Sequence, residues 1–253
     1  MNLSVVSAWY NEELIAPFFL NHYIRDMKAD KVIIVLDQDT NDNTREILSR
    51  YKEVEVVDFK YPDGFDDQIK TRKLSEMYRT IVDGWCIVVD SDEFVFSLDR
   101  DFKNDYLIKI DQAGYTLVRC NLINPYRNIL ESDLDPDIEI IPQRRYGTLR
   151  SIWGSETDYI KPIVAKAGYN FEWGIGQHYI NTNPDIIEDP QYVEGVHWQY
   201  ADPSIVLQRH TRNRIGRNGP ANKALNLSFH FETYTEDNVL AECEKHLHDE
   251  RIF

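Results

Sequence analysis

Four consecutive residues, Asp90-Ser91-Asp92-Glu93, stand between two apolar runs, Cys86-Ile87-Val88-Val89 and Phe94-Val95-Phe96. Two carboxylates this close repel one another unless a cation neutralises them. The acid–small–acid spacing therefore points to a hard divalent ion held through oxygen. The bland alternative is an acidic turn whose charges are simply solvated. Apolar residues directly after the acids favour the metal, because they return the chain to a core instead of to water. The run before the acids is continuously apolar and β-branched, as a strand buried in a parallel sheet is. The turn would then lie at that strand's carboxyl end, where open α/β sheets bind their ligands.

The elements that must position this turn are legible upstream. Residues 3–8 form a β-like run, followed by Trp9-Tyr10-Asn11-Glu12-Glu13. Leu14, Ile15, Phe18, Phe19, His22, Tyr23 and Met27 then recur near helical spacing. Pro17 is tolerable only in a first turn, so this helix can start later than Glu12. A second buried strand over 32–36 ends in the polar turn 37–44, which can cap a helix at about 44–51. A third strand spans 54–57. Asp66 or Asp67 can cap a further helix with Ile69, Leu74, Met77, Tyr78 and Ile81 on one face. Strand–helix alternation of this kind predicts a parallel sheet with covering helices. No G-x-G-x-x-G follows the first strand, so a glycine cradle does not hold phosphates here.

After Phe96 the pattern loosens. Residues 115–120 read as a strand. The acidic stretch 131–139 has Ile138 where a calcium loop needs glycine and Arg144 where it needs glutamate, so it reads as a solvated loop. Segments 153–162, 171–178 and 194–200 mix aromatics, glycine and single charges, as loops lining a site do. A helical region from Pro203 carries Arg209, Arg212, Arg214 and Arg217 until Asn218-Gly219-Pro220 breaks it, and a last helix spans about 236–248.

Composition narrows the class. With 253 residues, 42% apolar and 12% aromatic, the chain can bury a sizeable core. A net charge of −15 argues against a nucleic-acid partner held by broad electrostatic attraction. It leaves room for a nucleotide whose phosphates are neutralised locally. Cys86, Cys120 and Cys243 are widely spaced and read as reduced packing residues in a cytoplasmic protein. No stretch reads as a transmembrane segment or secretory signal, so membrane contact, if any, would be peripheral, at the inner face.

Taken in order, these stretches resemble a family 2 type glycosyltransferase of the GT-A fold, and within it the bacterial glycosyltransferase 2-like subgroup. Trp9-Tyr10-Asn11-Glu12, the 37–44 turn and Asp90-Ser91-Asp92-Glu93-Phe94 as the family's D-x-D carry the likeness. Lys161-Pro162-Ile163-Val164 with Gly176-Gln177-His178, and His197-Trp198-Gln199-Tyr200 with Ser204, match more loosely. Asp37-Gln38-Asp39 departs from the single Asp and Ser of many members. The resemblance implies one domain over 1–253 of α/β class. A Rossmann-like nucleotide-binding half (about 1–97), with a mostly parallel sheet flanked by helices, would be followed by an acceptor-side half and C-terminal helices (about 98–253).

It also implies sugar transfer from a nucleotide-sugar donor, a UDP-sugar, to a saccharide or lipid-linked saccharide acceptor, in bacterial surface polysaccharide synthesis, with Mn²⁺ or Mg²⁺ on the donor diphosphate. Asp92 would be the inner metal ligand, Asp90 would hold the ribose or the metal, and His197 would complete the site or be a satisfied buried histidine. Asp37 would accept the imide N–H of uracil or, equally, an N–H of guanine, and Tyr10 would pack on the base. Asn11 and Glu12 would fix the ribose or, for Glu12, cap the helix. Ser91 would line the donor site, and Gln68 and Arg72 would face the donor or only solvent. The four arginines would close over the diphosphate, meet a phosphorylated lipid carrier or, for most of them, form a solvated face, with Arg209 the best functional candidate. For an inverting reaction Glu156 or Asp158 would be the base, with Glu172 next. Trp153 and Trp173 would stack on sugars or fill the core, and His178 would shape the acceptor side. With the acids repelling each other, Asp92→Ala should leave the fold intact.

Two other classes compete. A phosphatase of the haloacid dehalogenase type also carries D-x-D after a strand, but there the motif ends the first strand, and here three βα units precede it. A non-catalytic nucleotide- or glycan-binding module would keep the pocket without a working base or metal.

Overall fold

The computed structural model describes residues 1–97, 101–148, 160–181, 186–227, 235–249 and 251–252. β1 (Leu3–Trp9) leads through Tyr10–Glu12 into α1 (Ala16–Leu20). Pro17 sits in the first turn of α1, where its missing N–H needs no partner. The helix widens into a π-helix over Asn21–Asp26. β2 (Lys31–Asp37), α2 (Thr44–Leu48), β3 (Val54–Phe59), α3 (Asp67–Arg79) and β4 (Trp85–Val88) come next in the expected alternation. Asp66 caps α3, accepting from Gln68 N at 2.8 Å and Ile69 N at 3.1 Å. Such a cap contributes about 1 kcal/mol.

The early strands are apolar on both faces because both faces are covered. Leu3, Val5, Val32 and Ile34 pack on one side with Phe19 and Tyr23, and Val6, Ile33 and Val35 pack on the other with Leu74 and Tyr78 of α3. Alternate residues point to opposite faces, so one apolar run serves two cores. Each large side chain taken from water contributes about 1.5–3 kcal/mol. The strand ends that carry the acids are thereby fixed.

β5 (Glu93–Phe96) comes straight after the acidic turn. Beyond it lie α4 (Leu107–Gln112), β6 (Leu117–Tyr126), β7 (Tyr146–Thr148), β8 (Ile160–Lys166), β9 (Glu172–Trp173), β10 (Ile180–Asn181) and β11 (Val193–His197). β6 runs well past the expected end at 120, through Asn121 and Asn124, because strands on both sides pair with it. The described residues form a nine-stranded sheet in the order β3-β2-β1-β4-β8-β6-β11-β5, with β7 on β6. β1, β2, β3 and β4 are mutually parallel; β8 is antiparallel to both β4 and β6, and β6 is parallel to β11. The strands therefore run mostly in one direction, and the fold is the mixed α/β class expected, with helices flanking the sheet. The chain leaves β4 for the opposite edge: β5 pairs antiparallel with β11, Phe94 opposite Val196. Phe94 packs there on Trp198 and Phe19, which accounts for the apolar residues after the acids.

From Pro203 onward the elements described are helical. α5 (Pro203–Val206) continues as a π-helix over Leu207–Asn213, a break at Asn218-Gly219 precedes α6 (Pro220–Ala224), and α7 (Glu236–Lys245) starts from a capping box at Thr235. None of the helices described is long and apolar enough to cross a membrane.

Candidate active site

The sheet order reverses at β1, with β2 on one side and β4 on the other. The crevice outside the carboxyl ends of strands at such a point is where open α/β sheets bind ligands. Here those ends deliver Tyr10 and Glu12 after β1, Asp37 at the end of β2, and Asp90, Ser91 and Asp92 after β4. All of them line one cavity of about 480 Å³. Lys161 of β8, His197 of β11, and Arg209, Arg214 and Arg217 from the C-terminal region close its other side.

The acidic turn is not a pair of bare carboxylates. Lys70 Nζ lies 3.0 Å from Asp90 Oδ1 and 2.9 Å from Asp67 Oδ1. Lys161 Nζ lies 2.5 Å from Glu93 Oε1 and 3.9 Å from Asp90 Oδ2. Burial works against the charged form of Asp90, but the two ammonium groups outweigh it and bring its carboxyl down to about 2. Burial likewise opposes ionisation of Asp92, yet Arg209 and His197 hold it well below the usual carboxylate range. Arg209 Nη1 donates to Asp92 Oδ2 at 2.5 Å, and Nη2 donates to Ser91 Oγ at 3.0 Å. Ser91 Oγ donates in turn to Glu12 Oε1 at 2.9 Å. Arg209 Nε lies 3.0 Å from Glu12 Oε2, off the hydrogen-bond direction. Glu12 is thus neither a helix cap nor an open ribose acceptor: its carboxylate belongs to a buried ionic network. This network also counts against the expectation that Asp92→Ala spares the fold, because Asp92 balances a guanidinium as well as repelling Asp90.

At the other end, Asp37 is 2% exposed. Its Oδ1 accepts from Asp39 N at 2.9 Å and its Oδ2 accepts from Arg217 Nη2. The Arg217 guanidinium lies over the Tyr10 ring, 3.3 Å from its centroid. Tyr61 and Phe65 add aromatic wall to this end of the cavity. Asn11 adopts a left-handed φ of 50° and exchanges two hydrogen bonds with Asn41, at 2.8 and 2.9 Å. It ties the exit of β1 to the turn after β2, spends its side chain there and does not line the cavity.

Several expectations meet a different geometry. Gln68 and Arg72 are exposed on one face of α3 and do not line the cavity; Lys70, on the opposite face, does. Trp173 is core, donating from Nε1 to Pro162 O at 2.7 Å. Glu172 is exposed and pairs with Arg79 at 3.5 Å, away from the cavity. His178 does line it. Glu156, Asp158 and Trp153 lie outside the described residues.

The proposed metal ligands converge only in part. His197 Nε2 is 3.4 Å from Asp92 Oδ2, and its Nδ1 is 3.1 Å from Asn124 Oδ1. With Nδ1 donating to Asn124, Nε2 faces the carboxylate, as an imidazole oriented for a cation does. Asp90 does not join them, being held by Lys70. Among the described residues, no three acidic, histidine or cysteine side chains converge into a metal cage. Of the expected ligands, Asp92 and His197 are the two that stand together.

No protein family profile matches the chain, and no curated protein matches it. Among solved structures, it is similar to S. aureus TarS 1–349 at 16% identity and a TM-score of 0.40, over 66% of this chain and 47% of that one, so it spans about half of that protein. Against TarS 1–349 in complex with UDP-GlcNAc the identity is 14% and the TM-score 0.44, over 96% of this chain and 72% of that one. A 4-diphosphocytidyl-2C-methyl-D-erythritol synthase from Anaerococcus prevotii gives 15% and 0.32, over 54% and 61%. With each of these TM-scores below 0.5, the functional reading rests on the geometry of the site.

Proposed function

We infer that this chain is a glycosyltransferase that moves a sugar from a nucleotide-sugar, a UDP-sugar, to the hydroxyl of a saccharide or lipid-linked saccharide. The observation that carries the reading is the division of one strand-end cavity. One end is aromatic and offers an acceptor, Tyr10 with Asp37; the other gathers Arg209, Arg214, Lys70 and Lys161 around the acidic turn. A planar base with an in-plane N–H suits the first, and a diphosphate suits the second. Residues to about 97 supply the donor half, and the remainder supplies the acceptor side. The resemblance to enzymes of bacterial surface polysaccharides supplies the biological setting.

Departure of the nucleoside diphosphate builds negative charge on phosphate oxygens. Arg214 and Arg209, both held beside Glu12, would meet it, and a fixed arrangement needs no reorganisation during reaction. Asp92 and His197 would hold Mn²⁺ or Mg²⁺, which supplies Lewis-acid stabilisation of those oxygens. Asp90, already held by Lys70, keeps the turn in shape. An inverting reaction needs a carboxylate to take the acceptor's proton, and Glu156 or Asp158 remains the assignment for that base.

The test is a thermal-shift screen with UDP, CDP, GDP and ADP, with and without Mn²⁺, and then an assay of nucleotide-sugar hydrolysis. A ligand that binds only the folded state raises the melting temperature. UDP with Mn²⁺ should give the largest rise, and slow hydrolysis should stop in chelator and return with Mn²⁺. His197→Ala should raise the Mn²⁺ concentration required. No shift with any nucleotide would overturn the reading; a shift without turnover would leave a binding module in its place.

A further inference from the structure

We propose that Arg217 occupies the place of the donor's nucleobase and is displaced from it when a nucleotide binds. The inference rests on the nucleotide-sugar reading above. A base that fits beside Tyr10 and Asp37 must be flat, must stack on an aromatic ring and must present an N–H in its own plane. The Arg217 guanidinium does all three. It is planar, its central carbon lies 3.3 Å from the Tyr10 centroid, and its Nη2 donates to Asp37 Oδ2. A base cannot use that face of Tyr10 while the guanidinium covers it.

The exchange concerns the side chain and not its backbone. Arg217 O accepts from Phe65 N at 2.7 Å, and Gly219 N donates to Phe65 O at 2.8 Å. A Cβ on Gly64 would fall 2.9 Å from Arg217 O, and one on Gly219 would fall 2.8 Å from Phe65 O. These backbones are packed closer than any side chain at the two glycines allows. Upstream, Asn213 Nδ2 donates to Asn11 O at 2.7 Å. Pinned on both sides, the strap leaves only the long arginine stem to swing, and its side chain, 18% exposed, has a way out to solvent.

The arrangement answers a physical need. Asp37 is buried, and an unpaired buried carboxylate is costly. In the nucleotide-free protein Arg217 compensates it; in the complex the base N–H takes over. Nucleotide affinity is then the difference between two stacked, hydrogen-bonded partners of the same pair of residues. Removing the arginine should make the base bind more tightly, whereas an Arg217 that contacts the base would make its removal weaken binding.

Calorimetric titration of uridine, cytidine, guanosine, adenosine and pyrophosphate into wild-type protein, Arg217→Ala and Arg217→Gln tests this. Circular dichroism establishes that each variant is folded. Arg217→Ala should bind the preferred nucleoside roughly tenfold more tightly, the scale of one lost ion pair and cation–π contact. Pyrophosphate should bind no more tightly. Arg217→Gln, which keeps an N–H for Asp37 but no charge, should fall between wild type and Arg217→Ala. Unchanged or weaker nucleoside binding by the folded variants would overturn the proposal, as would an equal gain for pyrophosphate. If wild type binds nucleosides and the variants show no gain, the exchange alone is wrong. If none of the three proteins binds any of the probes, the nucleotide-sugar reading itself fails and the exchange fails with it.

Discussion

Two arginine–aspartate pairs stand at opposite ends of the cavity, and they differ in nearly everything but chemistry. Arg209 and Asp92 are 3% and 6% exposed at their side chains, and the guanidinium also reaches Ser91 and Glu12. Arg217, 18% exposed, meets Asp37 and one aromatic face. The first pair is enclosed on both sides and shared among several partners, so breaking it strands charges that are nearly shut off from water. In the second the aspartate is equally buried, but the arginine reaches out to solvent and a ligand can replace it. Enclosure, more than pairing, separates a brace from a movable contact.

The comparison sharpens under mutation. Arg209→Ala takes the guanidinium from buried Asp92, leaves Glu12 only Arg214 at 3.5 Å, and should cost about 3–5 kcal/mol in urea unfolding, the scale of a broken buried ion pair. A cost below about 1 kcal/mol would mean that the network is as replaceable as the outer pair. Asp92→Ala should lower turnover about a hundredfold or more, as loss of a preorganised electrostatic group does. Unlike the expectation from two repelling acids, it should also lower the melting temperature, because Arg209 loses its shortest contact. Asp37→Asn should weaken the preference for UDP over ADP, since an amide presents a donor as well as an acceptor; nucleotide titrations of variant and parent measure this. The smallest effect expected is on acid stability. The Asp90 carboxyl is brought from an ordinary 3.8 to about 2, because Lys70 and Lys161 outweigh its burial. Its contribution is complete above about pH 4 and is lost as pH falls from there through 2. Asp90→Asn should show a shallower loss of stability in that window, read from urea melts at stepped pH.

Much of this was legible in the residues. The strands that end at the site read as unbroken apolar runs because both faces are covered, and Asp66 announced the start of α3. The route of β5 was not legible: Phe94-Val95-Phe96 promises burial, but Val196, its partner opposite Phe94, lies about a hundred residues away in sequence. On α3 the error was one of phase. Lys70, Leu74 and Tyr78 are spaced by four, so the lysine lies on the stripe that the apolar residues define, and that spacing could have singled it out over Gln68 and Arg72. The arginines were visible as a group but could not be phased individually. A 3.6-residue period does not hold through Leu207–Asn213.

That segment has a consequence of its own. A π-helical turn amounts to an α-helix carrying surplus residues, accommodated by bonding one position further along. Deleting a single residue between 210 and 213 would remove that surplus and let ordinary helical bonding resume, with the chain beyond it turned only slightly. Inserting one more would exceed what the widened turn absorbs and would rotate the chain beyond it by about 100°. Arg214 and Arg217 would then arrive on the wrong bearing even though neither had been altered. An insertion scan should therefore find this stretch less forgiving of one added residue than of one removed.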